Sequence, residues 1–181
     1  MSDNATPSVK RTRAADRLYG DLLLLLAAIA LTAPLFVQAT LAWELVLVGA
    51  CGVWWVFLDR TPRGLAAAIG WTLLTLGLGL HLAFHVGFDI LPLDATLCVA
   101  FCLLGAAELW LGLVRYRTRP LARVALILGA ASALAFGIAV PLLWPDLPNW
   151  AASAALSVMF GSLGAALLLG ARRSPAPERS A

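Results

Sequence analysis

Two histidines and an acid, His81, His85 and Asp89, recur at four-residue spacing near the middle of this 181-residue chain. On an α-helix that spacing puts all three on one stripe. They lie in or just beyond an apolar run at 65–88, and ionisable groups in lipid are costly enough to raise a functional hypothesis on their own. Unperturbed imidazole titrates at about pH 6.5, within reach of physiological acidification. Burial and the neighbouring acid act on its proton affinity in opposite senses. The stripe is therefore a candidate pH sensor whose direction of shift the spacing leaves open.

Cys98 and Cys102 form a second i, i+4 pair on the next apolar run. If that helix runs back antiparallel with the two stripes face to face, His85 is level with Cys98 and His81 with Cys102. The second row then lies about 6 Å deeper. Two imidazoles and two thiolates suit zinc or copper(I), which makes these four residues candidate ligands for a metal or haem. Apolar burial opposes thiolate formation, and small apolar side chains in helix packing are the simpler reading. No cofactor is expected on that reading. Cys51 is also in an apolar run, and the three cysteines do not form a secreted disulfide framework.

Glu108 lies well into the run that carries the cysteines, towards its second end. Three roles fit a carboxyl at that depth: a hydrogen-bonded or snorkelling boundary group, a partner for a basic residue such as Arg115, or a relay for protons or substrate. With His81, His85 and Asp89 it completes a candidate polar path. Glu44, beside Trp43, reads as a solvated boundary residue. There is no phosphate-binding glycine loop, His-Glu-x-x-His, nucleophile elbow or Cys-x-x-Cys, and the connections are too short to house a soluble active site. The expectation is a protein that is not an enzyme.

The elements that position these residues follow from composition. Hydrophobic residues make up 61% of the chain and charged ones 13%, with mean hydropathy +0.88. A soluble domain has about a quarter charged residues, so the solvent here is lipid. Six apolar runs, at 19–39, 41–58, 65–88, 95–114, 121–144 and 149–171, are each near the roughly 20 residues that cross about 30 Å of hydrocarbon as a helix. Residues 1–17 lack apolar periodicity and read as a disordered tail, 18–171 as the transmembrane domain, and 172–181 as a second tail. The first run, with its basic lead and Val37-Gln38-Ala39, has features of a cleavable signal peptide, but its length and its place in the repeat below favour a retained span.

Charge sets the expected orientation. All 13 Lys and Arg residues fall in the N-terminal tail, 59–64, 115–123 and the C-terminal tail. The alternate connections carry Glu44, Asp89, Asp94 and Asp146 instead. Basic residues mark the cytoplasmic side, so both termini are expected there. The net charge of +3 sits in short clusters that suit topology and anionic lipid, not nucleic acid. Trp43, Trp144 and Trp150 at outer ends and Trp54, Trp55 and Trp110 towards inner ends read as interfacial belts, with Trp71 as packing.

The chain also repeats itself at a period of about 56 residues, with Gly49, Gly105 and Gly161 in step and Ala39, Ala95 and Ala151 likewise. Gly52 aligns with Gly164, while the intervening copy has Glu108. Each unit reads as a helical hairpin, and units with an even number of spans keep one orientation. The recurring glycines would let the second helix of each hairpin approach a partner closely, and small-residue faces permit self-association.

A helix with proline near its outer end, as in Ala33-Pro34-Leu35, a short turn, then a helix carrying Leu47-Val48-Gly49-Ala50-Cys51-Gly52-Val53 recurs at 31–57, 78–113 and 135–169. This arrangement resembles the HdeD-like acid-resistance membrane proteins. The resemblance implies a small bacterial inner-membrane protein tied to acid or envelope stress, and carries no catalytic residue. The expected object is an all-α membrane protein: six transmembrane helices in three parallel hairpin repeats, with the lipid bilayer as its partner. A small transporter or channel lined by the polar residues above is the alternative.

Overall fold

The computed structural model describes residues 7–32, 37–58, 65–84, 93–143, 146 and 150–172, and the regular structure among them is all helical. The helices are α1 (Pro7–Thr32), α2 (Val37–Leu58), α3 (Leu65–Phe84), α4 (Leu93–Val114), α5 (Pro120–Leu143) and α6 (Trp150–Arg172). Leucine and alanine, both strong helix formers, dominate these stretches. Pro7 and Pro120 open their helices, where a missing N–H costs nothing. Pro141 falls in the last turn of α5, which ends two residues later.

Two expectations need correction here. Residues 7–17 are helical, so Lys10, Arg11, Arg13 and Arg17 belong to α1 and not to a disordered tail. The physical reason is a buried stripe that starts upstream of the apolar run: Ala15, Tyr19, Leu23, Leu26 and Ala30 recur at helical spacing and are all buried. Val37 to Ala39, expected to finish the first span, instead open α2. Pro34 lies outside the described residues.

Four helices, over Leu65–Phe84, Asp94–Val114, Pro120–Leu143 and Trp150–Ala171, are long and apolar enough to cross a membrane. α2 supplies a shorter apolar stretch, Ala42–Leu58. Every helix also turns large apolar side chains outward, among them Leu25, Phe57, Leu73, Leu103, Leu128 and Val158. Soluble surfaces rarely carry contiguous apolar patches beyond a few hundred Å². This is a membrane protein by its surface as well as by its composition.

The six helices close into a ring in chain order, with α6 packed back against α1. The closest pairings are α2 with α3, α4 with α5 and α6 with α1; α5 also packs well on α6, whereas α1 on α2 and α3 on α4 are looser. Glycines lie in the close contacts. A Cβ at Gly49 would fall within 2.6 Å of the Leu76 backbone nitrogen, and one at Gly105 3.0 Å from the Ala130 carbonyl oxygen. Gly161 faces Ala27 with more slack, 3.8 Å. Small residues here replace the side-chain layer that would otherwise hold helices 8–10 Å apart.

Candidate functional site

Glu108 occupies the core stripe of α4. Phe101, Leu104 and Leu111, at i−7, i−4 and i+3, are fully or almost fully buried, and Glu108 itself has 0% exposure. It is neither snorkelling nor paired with Arg115. Its Oε1 accepts a hydrogen bond from the Ser162 hydroxyl of α6, across the ring from α4. Its Oε2 has no partner among the described residues. Gly129 of α5 makes room for the group, since a Cβ there would overlap both Ser162 Oγ and the Glu108 carboxyl. Three helices thus converge on one carboxylate about 9 Å of helix rise from the end of α4. Ser162 Oγ is also 2.8 Å from the Met159 carbonyl oxygen.

Other buried polar atoms are also left bare. Thr72 Oγ1 and Trp71 Nε1, both on α3, have no hydrogen-bond partner among the described residues. Trp71 is fully enclosed and meets Phe160 edge to face at 6.4 Å. Its reading as packing holds. Each bare buried group forfeits about 1–3 kcal/mol relative to a satisfied one, so this core is costlier than an all-apolar one.

At the end of the bundle where α4 turns into α5, a second cluster ties the ring together. Asp16 of α1 accepts from Trp55 Nε1 of α2 at 2.7 Å and pairs with Arg115, just beyond α4, at 3.5 Å. The Arg115 guanidinium lies 5.1 Å from the Trp55 ring centroid and 5.7 Å from that of Tyr116. Tyr19 stacks on Trp55 at 5.2 Å and donates to the Val48 carbonyl. Arg119 donates to the Gly170 carbonyl near the end of α6. Trp55 is therefore a core residue, 2% exposed, and not a member of an interfacial belt, whereas Trp43, Trp54, Trp110 and Trp150 are exposed. Sequence reasoning missed this cluster because Asp16 and Trp55 are 39 residues apart and the segment around Asp16 was read as a tail.

At the opposite end, His81 is half-buried and its Nε2 lies 3.3 Å from Thr96 Oγ1 of α4. His85 and Asp89 lie outside the described residues. Cys102 packs its sulfur against Gly137 of α5, where two level rows of ligands required it to face α3. Among the described residues no three His, Cys, Asp or Glu side chains come together to hold a metal ion, and the three cysteines are free. Glu44 is 9% exposed, so it is enclosed by the bundle and is not a solvated boundary group.

A cleft of about 430 Å³ opens between α1 and α2, the looser pair, walled by Leu18, Tyr19, Cys51, Trp54 and Leu58 among others. It is almost entirely apolar, and Leu18 and Trp54 are among the most exposed side chains of their helices. The chain matches no family model, no curated protein and no solved structure.

Proposed function

We propose that this chain is a non-enzymatic integral protein of the bacterial inner membrane that serves acid or envelope-stress tolerance, as its resemblance to HdeD-like proteins implies. On this reading it crosses the bilayer six times as three hairpin repeats, with both termini in the cytoplasm. The observation that carries it is the inside-out distribution of the bundle: apolar side chains face outward on every helix while a carboxyl, Glu108, is sealed within. Ionisable groups held inside membrane bundles are characteristic of proteins that respond to protons or conduct ions.

The repeat reading draws support from the glycines in step, which fall at corresponding contacts: Gly49 on α3, Gly105 on α5 and Gly161 on α1. The positive-inside pattern supports cytoplasmic termini. Transport of a small solute is the second reading. The bare Thr72 hydroxyl, Trp71 N–H and Glu108 Oε2 favour it, since a path through a bundle needs polar groups that the protein does not itself satisfy.

The test is survival of a deletion strain across external pH, complemented with wild type, with a His81→Asn, His85→Asn double variant and with Glu108→Gln. Loss of acid survival restored by the wild type supports the role. Survival indistinguishable from the parent strain at every pH overturns it.

A further inference from the structure

The oxygen atoms around Ser162 do not have enough hydrogen atoms to go round. A serine hydroxyl carries one hydrogen, yet Ser162 Oγ is within bonding distance of two acceptors, the Met159 carbonyl oxygen and Glu108 Oε1. If the hydrogen goes to Met159, the contact with Glu108 is a hydrogen bond only when the carboxyl supplies a hydrogen of its own. If it goes to Glu108, the Met159 carbonyl loses the hydroxyl, and a carboxylate with a bare Oε2 sits in the core.

We propose that Glu108 and Ser162 form an intramembrane proton-binding site, occupied when the carboxyl donates to Ser162 and Ser162 donates to Met159, and vacated when Ser162 turns its hydrogen to the carboxylate. The proposal rests on the reading of the chain as a membrane protein. The step balances simply: a hydronium ion gives up one proton to a Glu108 carboxylate oxygen, a neutral water leaves, and one O–H bond is made for one broken.

The chemistry of the site suits a proton as its ligand. Hard metal cations take about six oxygen ligands, and here one carboxylate and one hydroxyl converge. On the α5 side the site is closed by Gly129, where even a methyl group would overlap. The charged and titratable groups of the surrounding elements are few. α5 contributes Arg123, whose carbonyl lies beside Gly112, one turn along α4 from Glu108. α3 contributes His81 in its last turn, and α6 contributes Arg172 at its end. α4 itself carries Asp94, Cys98 and Cys102 on the side away from Arg115. Arg115 and Arg119 are committed to Asp16 and the Gly170 carbonyl. Ser162 is the hydrogen-bond partner the structure gives Glu108. In either state the Glu108–Ser162 bond joins α4 to α6, two helices that are not neighbours in the ring; what filling changes is the direction of the bond and the charge it holds.

The experiment treats purified full-length protein in detergent with an apolar carbodiimide, dicyclohexylcarbodiimide, to whose C=N bond protonated carboxyls in apolar surroundings add to give a stable N-acylurea, and locates the adduct by peptide mass spectrometry. An adduct at Glu108 that forms in acid and diminishes as pH is raised is expected. Ser162→Ala should displace the pH of half-maximal labelling, and Glu108→Gln should abolish the adduct. A protonated-carboxyl infrared band that appears on acidification and is missing in Glu108→Gln reads the same site without a reagent. Either signal supports the proposal, and absence of both from the wild-type protein overturns it. Unaltered acid survival of the deletion strain would remove the stress role while leaving this result standing, and a protein absent from the membrane fraction would remove the reading beneath both.

Discussion

Substituting Gly129 by alanine tests whether α4, α5 and α6 truly meet at Glu108. The added methyl would overlap Ser162 Oγ and the Glu108 carboxyl, both held in a fully packed core, so neither can retreat without breaking the hydrogen bond between them. Overpacking of this kind costs about 1–3 kcal/mol. Alanine in a helix also gains about 0.5–1 kcal/mol over glycine through reduced backbone entropy in the unfolded chain. Gly161→Ala supplies that gain alone, because its methyl would sit at an ordinary 3.8 Å from Ala27. The helix gain is common to both variants and cancels, so they should differ in stability by the overpacking cost, about 1–3 kcal/mol, with Gly161→Ala the more stable. Reversible unfolding in mixed detergent micelles would measure the gap. Adding Ser162→Ala to Gly129→Ala should recover part of the loss, so the double variant should be more stable than the sum of the two single losses predicts. Equal stability of the two single variants, or additive losses in the double variant, would refute the convergence of these helices.

Asp16→Ala should cost about 1–3 kcal/mol, because it removes the acceptor that Trp55 Nε1 and the Arg115 guanidinium share in a largely shielded cluster; Asp16→Asn, which keeps an acceptor for Trp55, should cost less in the same unfolding assay. Trp71→Ala should lose about 3–5 kcal/mol by emptying a fully enclosed site, whereas Trp71→Phe should lose far less, since it also deletes an N–H that has no acceptor. Single cysteines introduced at Arg60 and Arg117 in a cysteine-free background should react with a membrane-impermeant maleimide only after cells are opened, and one at Asp89 should react in intact cells. Labelling of Arg60 and Arg117 positions from opposite faces would refute the orientation drawn from charge.

Much of the helical layout was legible because lipid imposes a simple grammar. Helix bounds at Leu65, Leu58, Val114 and Leu143 lie at or within a residue of where the apolar runs stop or start. The beginning of α1 was not legible, because its buried stripe of Ala15 and Tyr19 runs through a segment rich in arginine, and composition outvotes periodicity when the stripe is one residue wide. Inside the runs the difficulty is reversed. Leu103 and Trp110 are exposed while Leu104 and Leu111 are buried, yet all four are apolar, so hydrophobicity does not distinguish the core face from the lipid face. Apolar sequence therefore does not fix which neighbour His81 and Cys102 face, and Cys102 packs on α5, not on α3. Glu108 was visible as an oddity but its surroundings were not, since Ser162 is 54 residues away and on a helix that α4 does not adjoin.

On the repeat reading, positions 52, 108 and 164 correspond, and their neighbours explain how one of them comes to be an acid. At Gly52 the space beside the backbone is taken by the Tyr19 hydroxyl and by Thr72, and at Gly164 by the backbone of Gly20 with Leu23 and Leu24. In both, the second helix of a hairpin carries a glycine, and at Gly164 the facing helix carries one too, Gly20. At Glu108 the roles are exchanged: α4 carries the side chain and α5 carries the glycine, Gly129. A carboxyl can therefore occupy this contact without prising the helices apart, which a glutamate placed at Gly52 or Gly164 would do. The exchange also explains why the acid is so completely enclosed, because α5 presents no side chain at Gly129 to hold the helices apart. A glutamate that arose merely as a tolerated boundary residue would need no such accommodation. The matching glycine across the interface, together with the serine opposite, marks Glu108 as a position the fold is built to hold.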